Sequence, residues 1–254
     1  MKRIALFCVS YESEKELEQY RQSLDKAIEK AKDQVSLDIF VAYNTKEDNP
    51  GYFGAIKRLM DDVDITVYDY TIISNVDLVV EENFFLKLTD YKCEENTGWI
   101  APQIWSHLEG RDRNPKILNR YSLRKLNILK AFYQFPILDT LYTRTFYRQK
   151  KYESHPAGKI YAGHGSLIIL TNEYFKRCGK IDYPVFLFCE EIYLAEMCQK
   201  VGLSVEYVPH IKVTDSEHAS TGRMKHSFYC RCNYEAMQYI IRTFYLIFIT
   251  QRLR

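Results

Sequence analysis

The chain has 254 residues, 46% of them hydrophobic and 27% charged, which excludes a disordered protein and is enough to bury a sizeable core. A formal charge of +2 gives no chain-wide field for nucleic acid. Seven cysteines without a CxxC pair exclude a disulfide framework and a paired-cysteine zinc site, and they suit a reducing compartment.

The opening MKRIALFCVSYES has too short an apolar run for a signal peptide and no small-residue cleavage pattern, so Ile4 to Val9 reads as a first strand. Ser13 to Lys32 repeats Leu17, Tyr20, Leu24, Ala27, Ile28 and Ala31 at three- and four-residue spacing, the pattern of an amphipathic helix. Ser36 to Asn44 is a second strand, Asn49-Pro50-Gly51 punctuates, and Phe53 to Met60 is a second helix. A third strand, Tyr70 to Ser74, stops at Asn75-Val76-Asp77. This alternation predicts an α/β fold with a mostly parallel central sheet flanked by helices, where ligands bind beyond the carboxyl ends of the strands.

Gly98 to Ile104 continues the sheet, and a stretch of helical character from about 111 to 152 interrupts it. Strand pattern resumes at Ala162 to Leu170. Helices follow at Asn172 to Cys178 and Glu190 to Val201, with short strands at Ser204 to Val208 and Ile211 to Thr214. With no repeat and no linker composition, residues 1–223 read as one domain containing the helical insertion, and 224–254 as a C-terminal helical extension.

Arg111 to Lys151 holds eleven Lys/Arg against two Asp, a net +9 that leaves −7 for the rest of the chain. Tyr121, Phe132, Tyr133, Phe135, Tyr142, Phe146 and Tyr147 interleave these charges. Such a surface suits an anionic partner; a solvated helical face is the plain alternative. Near the C-terminus, the apolar run Phe244 to Ile249 falls far short of the ~20 residues of a spanning helix. No acid follows Glu235, which suits an amphipathic helix on an anionic membrane surface, while docking on the core or an oligomer contact explains the pattern equally well.

Three groups of residues carry chemistry. Asp77 ends the third strand, where a carboxylate can hold a divalent cation that bridges a diphosphate; strand-end turn chemistry is the alternative. Glu190 and Glu191 follow the apolar Phe186-Leu187-Phe188-Cys189, where a carboxylate against an apolar wall can serve as general base, or can simply complement a helix start. Asp215-Ser216-Glu217-His218 lies after the last strand and offers Asp215 and His218 as metal or phosphate contacts, or a polar loop and helix cap.

NPGYFGA at 49–55, SNVDL at 74–78, AGHGSLII at 162–169, FLFCEEIYLAEMCQKVG at 186–202 and EYVPHIKVTDSEHAST at 206–221 occur in an order that resembles the family 2 glycosyltransferases, particularly bacterial enzymes of capsule, O-antigen and lipopolysaccharide assembly. The resemblance spans roughly Arg3 to Thr221. It implies a GT-A fold whose first and second strand ends, Ser10, Tyr11 and Glu12 with Tyr43 and Asn44, cradle the nucleobase. It also places Gly51, Asn75 and Asp77 at the donor, with Asp77 on the acidic metal position of a DxD-like motif whose first acid is Asn75 here. Glu191 falls on the catalytic acid and Glu190 on the glutamate before it. Asp215 stands at a position that often holds a metal-contacting histidine, with His218 as the substitute, and Tyr193 stands where many members carry a further acid.

The activity so implied is an inverting transfer, with Mn²⁺ or Mg²⁺, from a nucleotide-diphosphate sugar to a glycan acceptor, lipid-linked in many members. Gly163-His164-Gly165-Ser166 would let backbone approach the donor sugar, with His164 and Gly165 as contacts, or would form a structural turn. The corresponding location is cytoplasmic, peripheral at the inner face of the plasma membrane, with no nucleic-acid partner. A non-catalytic sugar-nucleotide or glycan-binding module is the reading from another class, and the retained Glu190-Glu191 pair speaks against it.

Overall fold

The structure is a computed structural model, and it describes residues 1–137, 140, 154–215 and 224–246. The strands are β1 (Lys2–Tyr11), β2 (Val35–Asn44), β3 (Tyr70–Asn75), β4 (Leu78–Val80), β5 (Thr97–Ser106), β6 (Arg111–Asp112), β7 (Gly158–Ile160), β8 (Leu167–Thr171) and β9 (Ser204–Asp215). The helices are α1 (Glu14–Ala31), α2 (Tyr52–Asp61), α3 (Phe84–Asp90), α4 (Leu123–Gln134), α5 (Asn172–Cys178), α6 (Glu190–Lys200) and α7 (His226–Ile240). The last of these runs on as a π-helical turn over Ile241–Leu246.

The sheet order is β2-β1-β3-β8-β5-β9-β4, with β6 on β5 and β7 on β9. β1 lies parallel to β2 and β3, and β5 parallel to β9, as βαβ alternation demands. Antiparallel pairs complete the sheet. β8 runs antiparallel to both β3 and β5, and β4 antiparallel to β9.

Alternation along buried strands builds a core on each face of the sheet. Ala5 and Phe7 of β1 join Ile73, Ile168 and Leu170 under α2, α5, α6 and α7. Ile4, Leu6 and Cys8 join Ile72, Leu167 and Ile169 under α1 and α3. Residues Ile4 to Cys8 are at most 1% exposed, so each large apolar side chain there contributes about 1.5–3 kcal/mol by burial.

Three differences from the sequence reading have local causes. Among its described residues the basic insertion is helical over α4 and again at 136, 137 and 140, but its start is not: Arg111–Asp112 pairs with β5, Pro115 cannot continue a helix, and Ile117 bridges to Ala162. Ala162 to Ser166 is loop, and β8 begins at Leu167. The two short strands expected at 204–208 and 211–214 form one strand, β9, whose break at Pro209 is absorbed by a register shift opposite Pro102 and Gln103. The C-terminal helix, for which core docking and a membrane surface explain the sequence equally well, docks on the core: Ala236, Met237, Ile240, Ile241, Phe244 and Tyr245 are all buried in it. The apolar face that would have met a membrane is therefore occupied over 224–246. Arg144, Arg148, Lys150, Lys151, Tyr142, Phe146 and Tyr147, together with 247–254, lie outside the described residues, as does His218.

Candidate active site

The carboxyl ends of β1, β2 and β3 converge, because Ser10 pairs with Tyr43, Tyr11 with Asn44 and Val9 with Asn75 in register. Ser10 is buried, Tyr43 is 60% exposed, and Glu12 is exposed in an ion pair with Lys46 at 3.1 Å. The Asn44 side-chain amide donates to Asn49 Oδ1 at 3.0 Å, and the same oxygen accepts from the Gly51 N–H at 3.0 Å. Asn44 therefore braces the turn that starts α2. Gly51 has φ +83°, and a Cβ there would stand 2.0 Å from the Phe186 carbonyl oxygen, so only glycine fits.

Tyr52, beside it, is a site residue that sequence reasoning passed over within its own motif. Its hydroxyl donates to the Gly165 carbonyl at 3.2 Å. Burial holds the phenol far above its ordinary range, and the negative charges of Glu190 and, less strongly, Asp77 add to this. One side chain thus stands within electrostatic reach of both the α6 acids and the β3 aspartate.

The α6 acids follow a strained turn. Phe188 and Cys189 both have positive φ, 72° and 62°, and with Glu12 they are the non-glycine residues of that kind among the described residues. All three lie at this site. The turn is clamped from behind by the Tyr183 hydroxyl, which donates to the Phe188 carbonyl at 2.6 Å. Phe228 and Tyr229 of α7 pack edge-on against Phe186 and Phe188. Glu190 is buried; burial first, then the neighbouring Glu191, pushes its carboxyl up to about 8. Glu191 is half-buried and accepts the Gly165 N–H at 3.2 Å. A Cβ at Gly165 would stand 3.1 Å from Glu191 Oε1, so the glycine lets the carboxylate sit against this loop. Tyr193 is buried in the aromatic core beside Tyr183 and Phe244 and offers no charge.

The Gly163–Ser166 loop is fixed on both sides. Asn75 N–H donates to the Ser166 carbonyl at 2.8 Å, and His164 N–H donates to Asn114 Oδ1 at 2.7 Å. The Ser166 N–H donates to His164 Nδ1 at 3.2 Å, which puts the imidazole proton on Nε2. Burial first, then Lys116, Arg113 and Arg111, holds this imidazole well below its ordinary range and hence neutral. Asn114 is the second residue that sequence reasoning missed.

Asp77 and Asp215 come together because β4 pairs with β9 with Leu78 opposite Asp215. Burial, then the charge of Asp215, raises the Asp77 carboxyl. Asp215 is 3% exposed and ion-paired with Arg113, whose guanidinium also lies 3.3 Å from Glu109.

No protein-family model matches the sequence, and no curated protein matches it. Solved structures do. The catalytic domain of Drosophila β1,4-galactosyltransferase 7 in complex with xylobiose aligns at TM-score 0.50 and 16% identity, over 91% of this chain and 80% of its own. GalNAc-T7 with UDP, GalNAc and Mn²⁺ aligns at 0.55 and 12%, over 91% of this chain and 48% of its own. A mannosyltransferase from Pyrobaculum calidifontis with GDP-Man and Mn²⁺ aligns at 0.52 and 8%, over 92% and 69%.

The chain has the GT-A glycosyltransferase fold.

Mn²⁺ accompanies the last two of these neighbours, and the oxygen donors here fit a divalent cation. Asp77 and Asp215 are adjacent hard-oxygen donors under like-charge tension, and the Arg113 guanidinium already stands on Asp215 as a cation. Among the described residues no cluster of three His, Cys, Asp or Glu forms, so Asp77 and Asp215 are the residues that would hold the ion.

Proposed function

We propose that this GT-A chain is an inverting, divalent-metal-dependent glycosyltransferase of the family 2 kind, using a nucleotide-diphosphate sugar. The observation that carries the reading is the Gly163–Ser166 loop, where Glu191 accepts the Gly165 N–H, Tyr52 donates to the Gly165 carbonyl, and Asn75, two residues before Asp77, donates to the Ser166 carbonyl. Acids of α6 and of the β3 end thereby meet one loop at the carboxyl ends of the strands.

Glu191 takes the proton from an acceptor hydroxyl as that oxygen bonds to the anomeric carbon. The anomeric C–O bond to the diphosphate breaks on the opposite face, its electron pair stays with the diphosphate, and the configuration inverts. Asp77 and Asp215 would hold the cation, which when bound offsets charge on the leaving diphosphate. Glu190 keeps its proton at neutral pH and leaves Glu191 to act as base. Ser10, Tyr11, Glu12, Tyr43 and Asn44 form the nucleobase side, with the exposed Tyr43 ring available for stacking. His164 and Gly165 face the donor sugar or its phosphates, with His164 offering a neutral Nε2–H donor.

The acceptor in this reading is a glycan on a lipid diphosphate, met at an anionic membrane surface during surface-polysaccharide assembly. Its support is the stretch from Lys116 to Ile137, which holds five Lys/Arg, one of them the Glu196-paired Arg120, and no acid, and in which Leu118, Ile128, Phe135 and Ile137 are exposed. Each engaged cation near such a surface is worth ~1 kcal/mol. Among the described residues no helix is long and apolar enough to cross a membrane. Cosedimentation with anionic and not neutral liposomes, weakened by salt, is expected; equal binding to neutral vesicles would assign the acceptor to solution.

A panel of sugar nucleotides with Mn²⁺ tests the activity. Release of nucleotide from at least one donor, abolished by chelation, is the expected result. Binding without turnover would assign a non-catalytic sugar-nucleotide module instead, and no binding would remove the proposal.

A further inference from the structure

We infer that Arg113 is the resident cation of the Asp77–Asp215 site, and that a divalent ion binds only by displacing its guanidinium from Asp215 toward the diphosphate of an incoming nucleotide. The second half rests on the glycosyltransferase reading; the first half does not.

Several observations converge. Arg113 is only 18% exposed and its partner Asp215 3%, so this ion pair is largely withdrawn from water. Its backbone is fixed: the Arg113 N–H donates to the Ile104 carbonyl at 2.8 Å, directly after β6 pairs with β5. Movement is therefore left to the side chain. On one side of the guanidinium stand Asp215, Glu109 and, through the β4–β9 pairing, Asp77. The next residue, Asn114, accepts the His164 N–H through its Oδ1 at 2.7 Å, and the His164 imidazole senses the charge of Arg113. Arg113 thus joins the acidic pair to the loop of His164.

An ionised carboxylate this buried is costly without a counter-charge, and a guanidinium and a divalent ion compete for the same oxygens of Asp215. When the ion takes over, Arg113 keeps its contact to Glu109, an acid it already shares with Arg111. The phosphate oxygens of a nucleoside diphosphate match the planar fork of donors that is then released. Metal and diphosphate should consequently load together, each weakly without the other.

The test is direct Mn²⁺ binding to the full chain, read by electron paramagnetic resonance, with and without UDP as the probe. In the wild type, UDP should tighten Mn²⁺ about tenfold, within the usual range of coupling between sites. Arg113→Met should bind Mn²⁺ alone more tightly than the wild type by a similar factor and lose most of the UDP effect. Because that variant leaves Asp215 without its cation and can fail to fold, Arg113→Lys is measured beside it. A single ammonium cannot reproduce the fork to both acids, so metal affinity should rise there too, by a smaller factor. Mn²⁺ affinities equal to or weaker than wild type in the folded variants would overturn the inference. Failure of UDP to bind any of the chains would instead remove the glycosyltransferase reading, with the Mn²⁺-alone comparison still deciding the role of Arg113.

Discussion

Glu190 and Glu191 are neighbours in sequence and enter the site together on the first turn of α6, whereas Asp77 and Asp215 meet only because β4 pairs with β9. The glutamates form no ion pair among the described residues, and burial makes one of them hold a proton. Asp215 is instead neutralised by an arginine. The same problem, two acids close together in a poorly solvated place, is thus solved by protonation in one pair and by a counter-cation in the other. A proton-sharing pair suits proton transfer. A pair balanced by a cation suits cation exchange.

The largest expected effect breaks the first pair. Glu191→Gln preserves shape and the contact to Gly165 and removes the base, so kcat should fall by ~10²-fold or more. Near-wild-type turnover in that variant would reduce Glu191 to a helix-start acid.

Glu190→Gln sharpens the contrast, because the amide resembles the protonated acid. The raised Glu190 pKa means that its contribution to stability is fully present below the ordinary carboxylate range and is lost as pH rises through about 8. The variant should therefore match the wild type near pH 4 and be the more stable of the two at pH 8. A Tm gain of about 3 °C corresponds to roughly 1 kcal/mol for a chain of this size. Thermal unfolding at the two pH values checks this, and a gain that is the same at both would show that Glu190 is not the proton holder.

The smallest effect concerns the residue between the pairs. Tyr52→Phe deletes one hydrogen bond, worth about 1 kcal/mol net, so turnover should drop only a few-fold, by loosening Gly165. A loss as deep as that of Glu191→Gln would give Tyr52 a direct part in the chemistry.

Much of this was legible in the sequence where the signal is local. The apolar run of β1, the helical periodicity of α1 and the acids opening α6 each declare themselves within a few residues. The strand-end residues Ser10, Asn44 and Asn75 also fell where parallel strands must end. What escaped was non-local or short. β4, β6 and β7 span three residues or fewer, too few for any period, yet β4 is what carries Asp77 to Asp215. Arg113 looked like one more charge in a basic run, and only the fold shows that it is spent on a buried acid. The C-terminal helix presents an apolar face whose partner no periodicity can name; Phe228 and Tyr229, packed on the Phe186–Phe188 turn, supply the answer.

Calorimetric binding of the preferred sugar nucleotide, with Mn²⁺ present, tests the division of labour between the two pairs most directly when Asp77→Asn and Glu191→Gln are measured side by side. An amide is an uncharged and poorer ligand for a hard cation, so Asp77→Asn should weaken donor binding by roughly tenfold or more and shift the Mn²⁺ requirement upward. Glu191→Gln should bind the donor within about twofold of wild type, since a base acts on the acceptor and is felt in kcat. Equal weakening in both variants, or an unchanged Mn²⁺ requirement in Asp77→Asn, would contradict the account.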